Sequence, residues 1–259
     1  MSTLRPITLI TGASAGIGAA FARVFAQHDH EVVLVARREA QLEVVAEAIA
    51  ANGCRRPQIV ALDLEMPNSA DQLAQELSMR GLEPAIVVNC AGYGLRGPAA
   101  ELDRAKQLAM IDLNVRVLTD LSLRFIDSMA RHTGGIINVA SIAAFFPGPG
   151  MAVYYATKAF ALSFSEALGA ELASRGVRVT VVCPGPVPTE FHARAGIDAR
   201  RLPPRFTRTA ERVAREGYEG FLRGRRIVVT GGANKLVTTF YRFLPRALVL
   251  RLAQIYQLR

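Results

Sequence analysis

The stretch Ile7-Thr8-Leu9-Ile10-Thr11-Gly12-Ala13-Ser14-Ala15-Gly16-Ile17-Gly18 decides the fold. Its opening apolar run, Ile7–Ile10, does not alternate with charged residues, the pattern of a strand covered on both faces. The run enters a turn with three glycines, and from Gly16 to Gln27 apolar residues recur at helical spacing. In a strand-to-helix turn, glycines permit the tight bend, the close approach of a pyrophosphate to the backbone, and close helix–strand packing. The helix start adds unpaired N–H groups and a positive dipole end, which together attract phosphate. Gly12, Ser14, Ala15, Gly16, Ile17 and Gly18 are therefore the expected dinucleotide cradle. A purely structural turn has no need of three glycines with Thr11 and Ser14 among them.

Beyond this stretch, Glu31–Ala36, Gln58–Leu62, Ala85–Asn89, Gly135–Ala140 and Val177–Cys183 read as further buried strands, and Ile227–Thr230 can add a seventh. Helical spacing marks Glu39–Ala51, Ser69–Ser78, Arg104–Arg131 and Ala152–Ser174 between them. This alternation predicts an α/β fold: a doubly wound parallel sheet of six to seven strands with helices on both faces, in a single domain. The 259 residues divide into that domain, 1–233, and a tail, 234–259. Pro184–Leu222 breaks the alternation with Pro184, Pro186, Pro188, Pro203 and Pro204, and holds one helix near Thr209–Leu222. Loops of this length in compact domains usually carry function.

Apolar residues make up 51% and charged residues 20%, which excludes wholesale disorder. Cys54, Cys90 and Cys183 are odd in number and far apart, so neither a disulfide framework nor a zinc site is expected, and a reducing compartment is. Ile7–Ile10 is too short for a secretory leader, and no apolar run reaches the ~18 residues of a spanning helix. A soluble, cytoplasmic protein is the expectation. Of the four histidines, none in metal-ligand spacing, His28 and His30 are expected in solvent. His132 is expected at the negative end of the long helix and His192 in the loop. Charge is uneven: residues 1–190 hold 16 basic and 18 acidic side chains, residues 191–259 hold 15 and 4. An electrostatic partner belongs to that last quarter.

The kind of dinucleotide is read at the end of the second strand. An acidic residue there would bond a ribose 2′-hydroxyl, but Ala36 is followed by Arg37 and Arg38. Two guanidinium groups suit a 2′-phosphate through bidentate, charge-assisted bonds. NADPH is expected over NADH.

Five separated motifs then stand in order: Thr11–Gly18; Asp63 after the third strand; Asn89-Cys90-Ala91-Gly92 after the fourth; Ser141 with Tyr154 and Lys158; and Pro184-Gly185, Val187 and Thr189 after the sixth. On these motifs the sequence resembles the short-chain dehydrogenase/reductase family over at least Pro6–Thr189, with a loose likeness of the tail to an NADP-preferring subgroup with a basic extension. Cys90 departs from the family, which usually has a second Asn there. The resemblance implies a Rossmann-like domain binding NADP(H), with Asp63 and Leu64 at the adenine. It places Asn89, Ala91 and Gly92 along the cofactor, and Pro184, Gly185, Val187 and Thr189 at its nicotinamide end. Asn114 is implied as holder of a water in a proton relay to Lys158. The helices Arg104–Arg131 and Ala152–Ser174 resemble those that pair subunits, which implies a homodimer or homotetramer.

The chemistry also follows from the residues. Carbonyl reduction needs hydride on carbon and a proton on oxygen. Tyr154 can give that proton, although free tyrosine titrates near 10. Lys158 is one helical turn on, where its ammonium is expected to lower the Tyr154 pKa and to hold the nicotinamide ribose together with Tyr154. Ser141, at the end of the fifth strand, is expected to bond the substrate oxygen as charge develops. Tyr155 precedes Lys158 by three residues and lies out of register.

The loop after Thr189 mixes Arg194, Arg200, Arg201, Arg205 and Arg208 with Phe191, Ile197, Leu202 and Phe206. That mix fits a lipophilic carbonyl or alcohol substrate, with or without an acidic head group, and equally an arginine-rich exterior without substrate meaning. The tail reads as two cationic amphipathic helices split at Pro245. Packing as a lid or subunit contact, and contact with an anionic membrane surface, are both open to it. Nucleic acid is not expected, since no recognition motif accompanies the charge. The reading is an NADPH-dependent oxidoreductase acting on a ketone or aldehyde. An NADPH sensor or scaffold without turnover is the alternative, against which the complete set Asn114, Ser141, Tyr154 and Lys158 argues. An epimerase or dehydratase is a weaker third.

Overall fold

The computed structural model describes residues 4–191, 195–196 and 204–257. Seven strands form one parallel sheet in the order β3-β2-β1-β4-β5-β6-β7. These are β1 (Arg5–Thr11), β2 (Val32–Ala36), β3 (Gln58–Ala61), β4 (Leu82–Asn89), β5 (Gly135–Val139), β6 (Arg178–Cys183) and β7 (Ile227–Val229). The chain winds outward from β1 in one direction through β2 and β3, then crosses back to β4 and outward through β7. Strand order therefore reverses between β1 and β4, which pair directly from Arg5 to Ile10. In open α/β sheets ligands bind outside the carboxyl ends of the strands at such a reversal.

Side-chain alternation divides the core into two layers. Ile10, Leu34 and Val88 face one side, with Phe21 and Phe25 of α1 (Gly16–Gln27), Leu42 of α2 (Glu39–Ala51) and Phe221 of α8 (Ala210–Leu222). Leu9, Val33 and Val87 face the other, with Leu73 of α3 (Ser69–Met79), Leu121 of α5 (Leu118–Arg124) and Leu168 of α7 (Ala152–Glu171). Both faces are covered, which is why these strands read as continuous apolar runs.

The expected long helix over Arg104–Arg131 is three helices. After α4 (Arg104–Ile111) come a π-helical segment, Asp112–Val117, then α5, a break at Phe125, and α6 (Ile126–Arg131). The one-residue bulge carries Asn114, and such bulges concentrate at functional sites. Helix α7 stops at Glu171 rather than Ser174; a 3-10 turn over Ala173–Arg175 ends at Gly176, whose φ of 72° suits glycine. Thr209 caps α8, its hydroxyl accepting from the Arg212 amide at 3.2 Å. The tail splits at Pro245 as expected, into α9 (Gly232–Phe240), a 3-10 turn at Tyr241–Phe243, and α10 (Arg246–Gln257).

His28 is exposed, as expected. His30 is not in free solvent: it packs edge-on against Phe25 at 4.9 Å, bonds the Thr8 hydroxyl at 3.1 Å, and burial lowers its pKa. His132 does not rest on the helix dipole alone, since its Nε2 meets Glu83 at 2.7 Å.

Candidate active site

The turn after β1 is built by close backbone approach. A Cβ on Gly12 would lie 2.8 Å from the Ala91 nitrogen, and one on Gly18 only 2.3 Å from the Gly12 carbonyl. Gly12 and Gly16 also hold φ of 65° and 56°, in the left-handed region. Thr11 fixes the turn across the sheet reversal: its hydroxyl accepts from the Cys90 and Ala91 amides, both at 3.1 Å. The first turn of α1 has no side-chain cap, so its leading N–H groups face the cleft.

A cavity of about 1040 Å³ runs from this turn in both directions. At one end lie Arg37, Arg38, Asp63 and Leu64. Arg37 pairs with Glu65 at 3.3 Å and Asp63 at 3.8 Å. Arg38 pairs with Glu190 at 2.7 Å and donates to the Ser14 hydroxyl at 3.3 Å. At the other end lie Ser141, Tyr154, Lys158, Pro184, Gly185, Val187 and Thr189, with Ala91 and Gly92 between. The glycines let the turn close on Ala91 and Thr189 at the edge of the cavity, and the arginines and helix start supply cations and donors there, so these residues fit a dinucleotide.

Asn89 and Asn114 stand behind the wall. Asn89 donates to Asn138 Oδ1 at 2.9 Å and Ser122 Oγ at 3.0 Å, fully inside the α5 layer. Asn114 accepts from the Tyr93 amide at 3.2 Å and donates to the Tyr93 carbonyl at 3.0 Å and the Thr157 hydroxyl at 3.1 Å. Gly92 makes way for it, since a Cβ there would fall 2.7 Å from Asn114 Oδ1 and 3.6 Å from Lys158 Nζ.

Ser141 Oγ accepts from the Ala143 amide at 3.1 Å, which starts a 3-10 turn over Ile142–Phe145. Lys158 is buried one turn below Tyr154 on α7; its Nζ donates to the Val139 carbonyl at 2.9 Å and lies 5.9 Å from the Tyr154 ring centre. Burial brings Lys158 down to about 8. Tyr154 is pushed up, not down as the sequence suggested: burial raises it, and the opposing Ser141 hydrogen bond does not compensate. The cause is packing, with Phe191 at 5.3 Å and Tyr155 at 6.1 Å closing over the ring. Across neutral pH, Tyr154 therefore keeps its proton while Lys158 titrates one helical turn away.

Sequence reasoning missed several walls. Tyr93, whose hydroxyl donates to the Lys106 carbonyl at 3.0 Å, lines the cavity with Met151, Tyr155, Arg96 and Lys106. Gly94 leaves the space in which Phe191, Tyr154 and Met151 converge, all within 3.2 Å of a Cβ placed on it. Only the Gly94 spacing, two residues past Gly92, offered a signal. Of the loop residues, His192, Arg194, Ile197, Arg200, Arg201 and Leu202 lie outside the described residues. Arg205 stacks on Phe206 at 5.5 Å. Among the described residues no cluster of His, Cys, Asp or Glu can hold a metal ion.

Residues 6–199 match the family model described as short chain dehydrogenase. The chain is a short-chain dehydrogenase/reductase. Family members are nicotinamide-dependent oxidoreductases, and the cavity fits that cofactor class. Among curated relatives, sulfoacetaldehyde reductase 2 of Chromohalobacter salexigens is 36% identical over 188 residues, 71% of this chain and 74% of that one. A short-chain dehydrogenase from Sphingobium yanoikuyae, solved with NADPH, superposes with a TM-score of 0.79 at 31% identity, over 92% of this chain and 93% of that one. The bulky-bulky ketone specific alcohol dehydrogenase of Comamonas testosteroni gives 0.76 at 26% identity, covering 93% of each chain.

Proposed function

We propose that this short-chain dehydrogenase/reductase uses NADPH to reduce a lipophilic ketone or aldehyde to the alcohol. The observation that carries the reading is a single cavity joining the arginine pair, the glycine turn and the Ser141–Tyr154–Lys158 set. When bound, the nicotinamide supplies hydride to the carbonyl carbon.

The remaining work falls to the chain. Gly12, Ser14, Ala15, Gly16, Ile17 and Gly18 receive the pyrophosphate, and Arg37 and Arg38 the 2′-phosphate. Their present partners are the half-buried Glu65 and the exposed Glu190; pairs at the surface contribute about 0–1 kcal/mol, so a phosphate bearing two charges can displace them. Asp63 and Leu64 flank the adenine; Asn89 stiffens the wall carrying Ala91 and Gly92. Pro184, Gly185, Val187 and Thr189 hold the nicotinamide end. Ser141 orients the carbonyl oxygen and Tyr154 gives it a proton, which its raised pKa keeps available at neutral pH. Lys158, near 8, returns a proton to Tyr154, and Asn114 positions the relay behind Gly92.

Tyr93, Met151, Tyr155 and Phe191 make the substrate end apolar and aromatic, and the Comamonas relative named above is specific for bulky ketones. A second reading, a carbonyl compound with an acidic group, rests on Arg96 and Lys106 in the same wall and on the sulfoacetaldehyde-reducing relative. The reading includes a cytoplasmic homodimer or homotetramer, supported by the outward Leu108, Ile111 and Phe160 on α4 and α7, and tail contact with a membrane surface. Among the described residues no helix is long and apolar enough to cross one.

The test is NADPH and NADH oxidation against short, aromatic, steroid, long-chain and sulfonated carbonyls. Turnover is expected with NADPH and a bulky apolar carbonyl, with Arg37→Asp shifting preference toward NADH. NADPH bound without turnover of any carbonyl would return the sensor alternative.

A further inference from the structure

Helix α9 is amphipathic with its sides exchanged. The residues it turns into the body are polar: Asn234 and Thr238 are 1% and 4% exposed. Asn234 Nδ2 donates to the Phe206 carbonyl at 3.0 Å and the Thr230 carbonyl at 2.8 Å. Thr238 donates to the Asn234 carbonyl at 2.9 Å. Leu236, Val237 and Phe240 face outward. Phe243, 75% exposed, lies 6.4 Å from Phe240 ring to ring, and Leu248, Leu252 and Ile255, also exposed, share helical spacing on α10. Scattered exposed leucines need no explanation, but a ridge of exposed apolar side chains on the tail helices, crested by an adjacent pair of exposed phenylalanines, does.

The charge around this ridge selects its partner. From Gly220 to the end of the sequence there are eight Arg or Lys residues and no Asp or Glu. Lys235, Arg242, Arg246 and Arg251 lie within the tail helices and the turn between them. A second copy seated symmetrically on the ridge would bring both sets of cations together without a carboxylate to separate them. An anionic lipid surface neutralises the cations and buries the apolar crest at once.

We propose that the outer side of the tail, centred on Phe240 and Phe243, docks on an anionic lipid surface with Arg242 and Arg246 against the headgroups. This deepens the membrane contact included in the reading above and does not depend on the catalytic assignment. Docking sets the surface beside the catalytic face, because Tyr241 packs at 5.9 and 4.9 Å on Phe145 and Phe146, the 3-10 turn that Ser141 starts and the residue after it.

The full chain should float with vesicles of phosphatidylcholine mixed with phosphatidylglycerol, not with phosphatidylcholine alone, and should be released by salt. Phe240→Ser with Phe243→Ser, and separately Arg242→Gln with Arg246→Gln, should each weaken binding about tenfold or more. Both double variants should keep the thermal midpoint and the sedimentation mass of the wild type. Failure of the wild type to float with anionic vesicles overturns the proposal. So does dissociation of an oligomer by the phenylalanine pair, which would make the ridge a subunit contact. A chain that floats but reduces no carbonyl leaves docking intact and defeats the catalytic reading instead.

Discussion

Helices α1 and α9 both follow a strand of the same sheet and both open on glycine, yet they are built in opposite senses. Helix α1 buries Phe21 and Phe25 completely and belongs to the body's core. Helix α9 buries an amide and a hydroxyl and leaves its large apolar groups outside. The first arrangement is what a fold needs for its own stability. In the second, hydrogen bonds anchor the helix and the apolar surface is left for a partner. The catalytic cleft rests on the buried body, with Gly185 held against Asn234 of α9, so association, carried by the outer side of the tail, should separate from chemistry and stability.

The largest effect expected is on chemistry. Tyr154→Phe removes the proton donor and keeps the ring packed against Phe191, so turnover should fall by about 10²–10⁴-fold with NADPH binding retained. Steady-state kinetics beside cofactor titration would show it. Tyr155→Phe, out of register and beside the same cavity, should be mild; the reverse ranking would exchange the two tyrosines' roles.

Next come the two helices themselves. Phe25→Ala empties a fully buried site and should cost about 3–5 kcal/mol in denaturant unfolding. Asn234→Ala strands the Thr230 and Phe206 carbonyls and should cost about 1–3 kcal/mol. A loss at Asn234 as small as a surface change would mean that α9 is not anchored by its polar side.

Lys158 yields a pH effect of known sign. Its folded value is about 8 against an ordinary 10.5, so between those limits the unfolded chain binds a proton that the native chain does not. Stability from this group therefore rises with pH over that window, by at most about 1.4 kcal/mol per unit, and the cost of the buried charge is complete below it. Lys158→Met should unfold at higher denaturant near neutral pH, lose turnover, and show a shallower rise toward about pH 10 than the wild type.

How much of this the sequence discloses depends on the range of the forces involved. The glycine turn, the parallel sheet and the Tyr154–Lys158 register are legible because each is a local pattern of spacing. The π-helical bulge at Asn114 is not, since one extra residue leaves the apolar pattern of Arg104–Arg131 intact. Nor is the direction of the Tyr154 shift. It is set by Phe191, Met151 and the space left by Gly94, which meet only in three dimensions. Cationic, amphipathic helices in the tail are visible in the sequence, but which side faces the body is decided by the Phe206 and Thr230 carbonyls that await Asn234.

The smallest expected change is the sharpest test of the difference between α1 and α9. Phe240 and Phe25 are the same residue type at similar depth in their helices, yet Phe240 is 59% exposed. Phe240→Ala has little buried surface to lose and no cavity to open, so its unfolding free energy should stay within about 0.5 kcal/mol of wild type. The same substitution removes part of the crest, so binding to anionic vesicles should weaken while turnover of a soluble carbonyl does not change. A loss of several kcal/mol would mean that Phe240 is covered in the free protein. The ridge would then belong to the core of an assembly, and α9 would resemble α1 after all.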